Sequence, residues 1–151
     1  AIVRNPFARA VSLYAHVQST PWGEHAEAKK LSFVQWLQTP GMLAWWGGTM
    51  KNYVVDEQGY RIVKRLYHLE NRAELKLIAN MVGYDSFPFA VGSETTAAYQ
   101  VQQHFYSEPE ALCLVAKIFA EDFEFFGYDA TLFEGLRVDL SACQWPLPAA
   151  R

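Results

Sequence analysis

The stretch VRNPFARAVSLY, residues 3–14, leaves a chain few ways to fold. AIVRN reads as the end of a buried strand. Asn5 is a helix N-cap, because its side-chain oxygen can take a free N–H of the first turn. Pro6 suits the first helical position, where its missing N–H costs nothing. Phe7, Val11 and Tyr14 then recur at four and three residues, which is the apolar stripe of a helix. A strand that turns directly into a helix is a unit of layered α/β architecture.

The rest of the chain follows in short elements. LSFVQWLQ predicts a brief helix capped by Ser32 and stopped by TPG. VVDEQGYRIVKRLYHLE predicts a turn at Asp56–Gly59 and then a strand, with Ile62, Leu66 and His68 on one face and Val63 and Tyr67 on the other. NRAELKLIANMVGY predicts a helix with a capping box of Asn71 and Glu74, one face of Leu75, Ile78, Ala79 and Val82, and Gly83 at its end. SEPEALCLVAKIFAEDFEFFGYD predicts one long helix with Ser107 and Glu110 as its capping box. Its buried face is Leu112, Val115, Phe119, Phe123 and Phe126, and Gly127 closes it. The expected division is a domain over 1–135 and a loosely ordered Pro- and Ala-rich tail over 136–151. Helices dominate, and two strands make a poor sheet, so the reading expects part of a larger sheet to lie outside this chain.

Composition narrows the function. Apolar residues are 51% and aromatics 15% of 151 residues, enough to bury a core. A net charge of −3 argues against general nucleic-acid binding, which needs a basic excess. No apolar run approaches the length of a membrane span. Cys113 and Cys143 have no Cys or His at zinc spacing, so no metal is expected. The expectation is a buried Cys113 thiol on a helix and no disulfide framework, which fits a reducing compartment.

The chemistry sits in the opening stretch. A helix start offers free N–H groups and a positive dipole end, and Arg4 adds a fork of donors matched to phosphate. Ser12 adds a hydroxyl, but it lies seven residues past Asn5, about 10 Å along a helix. One phosphate touching both must lie along the flank of the first turns. The plain alternative pairs Arg4 and Arg9 with carboxylates and leaves Ser12 as a surface hydroxyl. WGGTMK, with Gly47, Gly48 and Lys51, lacks the G-x-x-x-x-G-K-[ST] spacing of a phosphate loop. His16, His25, His68 and His104 have no obvious orienting carboxylate, and none is assigned as a base. Trp45 and Trp46 could stack on sugar rings, although core packing is the commoner use.

VRNPFARAVSLY resembles the 3′-phosphate-binding motif of sulfotransferases, Arg-x-Pro-x-x-Arg-x-x-Ser after a strand, in the carbohydrate and bacterial branch of that superfamily. Two further blocks are similar in the same order. MKNYVVDEQGYRIVKRLYHLENRAELKLIANMVGY resembles the family's turn, strand, Glu-Asn/Asp and acidic helix. FYSEPEALCLVAKIFAEDFEFFGYD resembles its closing helix, with Tyr106, Glu108, Asp122, Phe123, Phe126, Gly127 and Tyr128 at the matching places. The resemblance covers most of residues 2–129. It implies a partial P-loop-kinase-like α/β fold, helix-dominated, with few parallel strands. It also implies transfer of a sulfuryl group from 3′-phosphoadenosine 5′-phosphosulfate (PAPS) to a hydroxyl of a carbohydrate-like or other small acceptor. Arg4 and Ser12 would hold the cofactor's 3′-phosphate, and Arg9 would be mainly structural.

The departures are specific. His68 stands where the family commonly has Arg, Met50 where many relatives have Gln, FPFAVG replaces a Leu-Pro-His-x-Asn loop, and TTAA replaces basic residues. The family's 5′-phosphosulfate loop and catalytic base lie upstream of the 3′-phosphate motif, and only three residues precede Arg4 here. The expectation is therefore a C-terminal portion with no catalytic residue of its own and a sheet edge open to a protein contact. Relatives place such a chain in a bacterial cytoplasm, or in the Golgi lumen if it is animal. A non-catalytic interaction domain and a nucleotide-binding remnant are the alternatives.

Overall fold

The computed structural model describes residues 1–20, 27–41, 48–85, 104–133 and 135–143. Strand β1 (Ile2–Val3) leads through the N-cap Asn5 into helix α1 (Pro6–Ser19). Helix α2 (Phe33–Leu37) follows, and a 3-10 turn spans Met50–Tyr53. Strand β2 (Tyr67–His68) leads to helix α3 (Arg72–Met81). Helices α4 (Pro109–Ile118) and α5 (Ala120–Phe126) precede the hairpin β3 (Leu132–Phe133) and β4 (Leu136–Arg137). The fold is helix-dominated with few strands, an α/β arrangement at the coarse level.

Local signals behave as the chemistry of the residues dictates. Asn5 Oδ1 accepts from the Phe7 N–H at 2.9 Å, and Pro6 holds the first helical position. Ser32 and Gln35 form a reciprocal capping box on α2. Asn71 Oδ1 accepts from the N–H groups of Ala73 and Glu74, at 3.1 and 3.3 Å, and starts α3. Gly127 adopts φ +73° after α5, a left-handed closure that a side chain would strain.

The long closing helix is two helices. Phe119 leaves helical geometry, with φ −107° and ψ +23°, and the chain restarts at Ala120. The stripe still works across the break, because Leu112, Val115, Phe119, Phe123 and Phe126 are all buried. The expected Ser107–Glu110 capping box does not form. Pro109 takes the first helical position, Glu108 becomes the cap residue, and Ser107 Oγ donates to the His104 carbonyl instead. On α3 only Leu75 and Ala79 are buried, and Val82 is 63% exposed.

The predicted strand before His68 shrinks to two residues. β1 and β2 pair in parallel, with Ile2 opposite Tyr67 and Val3 opposite His68. The Ile62 N–H donates to the Val54 carbonyl at 2.9 Å, but residues 63–66 pair with no strand among the described residues and so make no ladder. Asp56–Gly59 does form the turn, with Asp56 Oδ1 accepting from the Gln58 and Tyr60 N–H groups and Val55 bridging Arg61.

The core is aromatic. Phe7 on α1 is fully buried, with ring centroids 5.6 Å from Tyr106, 4.9 Å from Phe123 and 5.1 Å from Phe133. Tyr14, Phe33 and Trp36 extend this cluster between α1 and α2. A smaller cluster of Val3, Met50, Val54 and Phe126 lies under β1.

The cysteine expectation is overturned. Cys113 on α4 and Cys143 after β4 are half-buried and joined in a disulfide across 30 residues of sequence. The β3–β4 hairpin turns the chain back onto α4, which brings together thiols that look remote in sequence. The argument for a reducing compartment from unpaired cysteines falls with it. The expected boundary after residue 135 falls between β3 and β4. Residues 136–143 pack on the domain through buried Val138 and this disulfide, and 144–151 lie outside the described residues.

Candidate anion-binding site

Arg4 stands between β1 and the N-cap of α1, so strand pairing and capping fix its backbone from both sides. The Tyr67 N–H donates to the Ala1 carbonyl at 3.0 Å and the Leu69 N–H to the Val3 carbonyl at 2.8 Å. The Arg4 side chain is half-buried and makes no hydrogen bond or ion pair among the described residues. Burial lowers its pKa, opposed by the nearby charge of Glu70 and by Tyr128. Ser12 is exposed, and its hydroxyl is unpartnered among the described residues. Seven residues at 3.6 per turn bring Ser12 back to within about 20° of Asn5 around the axis, so both lie on one flank of α1. The predicted pair is thus a cation before a helix start, with no hydrogen bond or ion pair among the described residues, and an unpartnered hydroxyl on the flank of the N-cap Asn5.

Glu70 completes the surroundings of Arg4 and was not singled out by sequence. Its carboxylate accepts the Asn5 N–H at 2.7 Å and the Tyr128 hydroxyl at 3.0 Å. Burial raises the Tyr128 pKa, and Glu70 adds to the effect. This carboxylate occupies the N-terminal end of α1.

Arg9 has a different fate. Its Nη2 donates to the Gly48 carbonyl at 3.2 Å, its Nη1 lies 3.9 Å from the Asp122 carboxylate, and its guanidinium sits 5.4 Å from the Phe119 ring centroid. Arg9 is committed to the interior. The same cluster disposes of the tempting WGGTMK loop. Asp122 accepts the Met50 N–H and the Lys51 N–H, both at 2.9 Å, and Lys51 Nζ pairs with Glu121 at 3.3 Å. The amides a phosphate would need are taken by a buried carboxylate. Gly47 lies outside the described residues, as do Trp45, Trp46, His25 and the segments FPFAVG and TTAA.

His68 has an orienting carboxylate after all. Its Nδ1 is 3.2 Å from Glu74, its backbone N–H donates to the same carboxylate, and its Nε2 is 3.4 Å from the Phe126 carbonyl. Both ring nitrogens are engaged, which leaves no free base. The six-residue spacing hid the pair, because it forms only when β2 and α3 fold back on each other. His16 Nε2 lies 3.3 Å from Thr20 Oγ1, and the His104 ring packs 5.8 Å from that of Phe105.

The Glu74 pairing has a pH signature. The His68 backbone N–H, helped by the His68 ring and Asn71, holds the Glu74 carboxyl below its ordinary 4.5, against the opposing effect of burial. A depressed folded value means stability present above the unfolded value and lost as pH falls through the folded one. Urea unfolding at stepped acidic pH should show this loss in the wild type and a shallower slope in Glu74→Gln. Equal slopes would refute it.

A cavity of about 400 Å³ opens elsewhere, between α4 and the segment after β4, and neither Arg4 nor Ser12 lines it. Among the described residues no group of three or more His, Cys, Asp or Glu could hold a metal ion. None of the described helices is long and apolar enough to cross a membrane. No family model matches the chain, and no curated protein and no solved structure matches it.

Proposed function

We propose that this chain is the C-terminal part of a PAPS-dependent sulfotransferase of P-loop-kinase-like parent fold, and that Arg4 and Ser12 anchor the 3′-phosphate of the nucleotide. One observation carries the reading. A half-buried arginine with no hydrogen bond or ion pair among the described residues stands where a parallel strand enters a helix, and an unpartnered serine hydroxyl lies two turns along that helix on the flank of its N-cap Asn5. Burial disfavours the Arg4 charge and nearby Glu70 offsets this only in part, without an ion pair, so an anionic ligand would add compensation. Arg4 would provide charge-assisted donors to the phosphate and Ser12 one further hydrogen bond. When bound, PAPS supplies the sulfuryl group that passes to an acceptor hydroxyl. The part taken by Arg4 and Ser12 is positioning, which is most of what a loose, phosphoryl-like transfer asks of a protein. The acceptor class is a carbohydrate-like or other small alcohol.

Titration calorimetry with adenosine 3′,5′-bisphosphate tests this. Binding should weaken about 10- to 150-fold in Arg4→Ala, the worth of a hydrogen bond to a charged group, and about fivefold in Ser12→Ala. Adenosine 5′-monophosphate, which lacks the 3′-phosphate, should bind the wild type no better than the bisphosphate binds Arg4→Ala. Equal binding of both nucleotides, or none by a folded chain, rejects the proposal. Rejection would favour the second reading, an interaction domain. That reading draws on the exposed Leu77, Met81, Val82 and Tyr84, which adjoin β2 where the Tyr67 hydroxyl meets Met81 Sδ at 3.6 Å.

A further inference from the structure

The Cys113–Cys143 disulfide is placed where exchange with another thiol can reach it and where breaking it would free a defined piece of the fold. Both cysteines line the cavity of about 400 Å³, together with Glu110, Arg137, Asp139 and Ala142. Both residues are therefore half-buried at the wall of an opening. Apart from the disulfide, buried Phe133 and Val138 and a few hydrogen bonds attach the segment they hold. β3 and β4 are two residues each, and the Val138 N–H returns to the Thr131 carbonyl at 2.9 Å. After Val138 a turn built on Asp139 leads to Cys143, whose carbonyl accepts from Lys117 Nζ at 2.7 Å. Phe133 of the segment reaches into the core, with its ring centroid 5.1 Å from Phe7 and 5.2 Å from Tyr106.

We propose that Cys113–Cys143 is a thiol–disulfide exchange site for a small dithiol or dithiol protein, and that it works as a latch holding residues 132–143 over the core. In the exchange a thiolate of the dithiol attacks one protein sulfur. The protein S–S bond breaks and a mixed disulfide forms. The second thiol of the reagent then displaces the remaining protein sulfur and closes a cyclic disulfide. The protein gains two electrons and two protons, and the dithiol loses them. The freed Cys143 thiol finds an acceptor in place, the Asp139 carbonyl at 3.2 Å. Reduction releases the tie across 30 residues of sequence without removing a core side chain, so it should loosen the segment before the helices.

The full chain serves for the test, with dithiothreitol as the dithiol. Alkylation of the denatured chain, read by intact mass, should add no groups before reduction and two after it. Reduction should lower the midpoint of thermal unfolding by roughly 10 °C, from the loop-closure entropy of a tie of this length. Hydrogen exchange in the reduced chain should rise in 132–143 and stay unchanged in α1. Cys143→Ser, which alters only the surface segment, should match the reduced wild type without reductant. Two alkylations before reduction, a midpoint shift under about 2 °C, or exchange rising equally in α1 would each overturn the proposal.

Discussion

Asp122→Ala is expected to lower the unfolding free energy by about 3–5 kcal/mol, the loss typical when one partner of a buried charged cluster is removed. Asp122 has no exposed surface, and its carboxylate does three things at once. It accepts the N–H groups of Met50 and Lys51 at 2.9 Å each, and it faces the Arg9 guanidinium at 3.9 Å. Alanine strands two backbone donors and a nearly buried cation. Arg9 keeps the Gly48 carbonyl and the face of Phe119. Set against a total stability of about 5–15 kcal/mol for a domain, this loss brings the chain close to unfolding. Asp122→Asn keeps one acceptor and should lose less. Burial outweighs these bonds and holds the Asp122 carboxyl above its ordinary 3.8. A raised folded value means a contribution that is full in acid and lost as pH rises through it. The gap between wild type and Asp122→Asn should accordingly narrow as pH rises. Urea unfolding at several pH values measures both effects. A loss under about 1 kcal/mol in Asp122→Ala would show that the carboxylate does not organise this cluster.

Phe7→Ala should cost about 3–5 kcal/mol as well, by transfer loss plus the cavity left behind. Phe7 is fully buried where α1 meets three other aromatic rings, those of Tyr106, Phe123 and Phe133. Its carbonyl also accepts the Tyr106 hydroxyl at 2.7 Å. The neighbours come from the N-terminal side of α4, from α5 and from β3, so no single element can move in to fill the space. Phe7→Leu keeps most of the volume and should cost less than half as much. Guanidinium unfolding of the two variants decides the matter. Equal, small losses would mean that the site collapses freely and that the aromatic cluster is not the centre of the fold.

Sequence reading served the α1 start and failed at every long-range pairing. Asn5, Pro6 and the Phe7–Val11–Tyr14 stripe are local signals, and a helix start needs only its own first turn to satisfy its donors. The flank shared by Asn5 and Ser12 follows from helical periodicity alone. Glu70 was invisible as a partner of Asn5 and Tyr128, because the contacts span 65 and 58 residues of sequence. The same holds for Asp122 against Met50 and Lys51, 72 and 71 residues away. The Ser107–Glu110 capping box failed for a local reason: Pro109 is better suited to the first helical position than to the second, and the helix starts there.

What this sequence determines by itself is where α1, α2 and α3 begin and which stripe α1 buries. Caps, glycine closures and apolar spacing act over a single turn, and their free energies do not wait for a partner. The tertiary structure alone decided three things. It fixed which strand meets β1, it committed Arg9 to Asp122 while leaving Arg4 unpaired, and it joined Cys113 to Cys143. Each depends on bringing distant residues within a few ångströms, and that is set by how the aromatic core packs, a property of all the elements together.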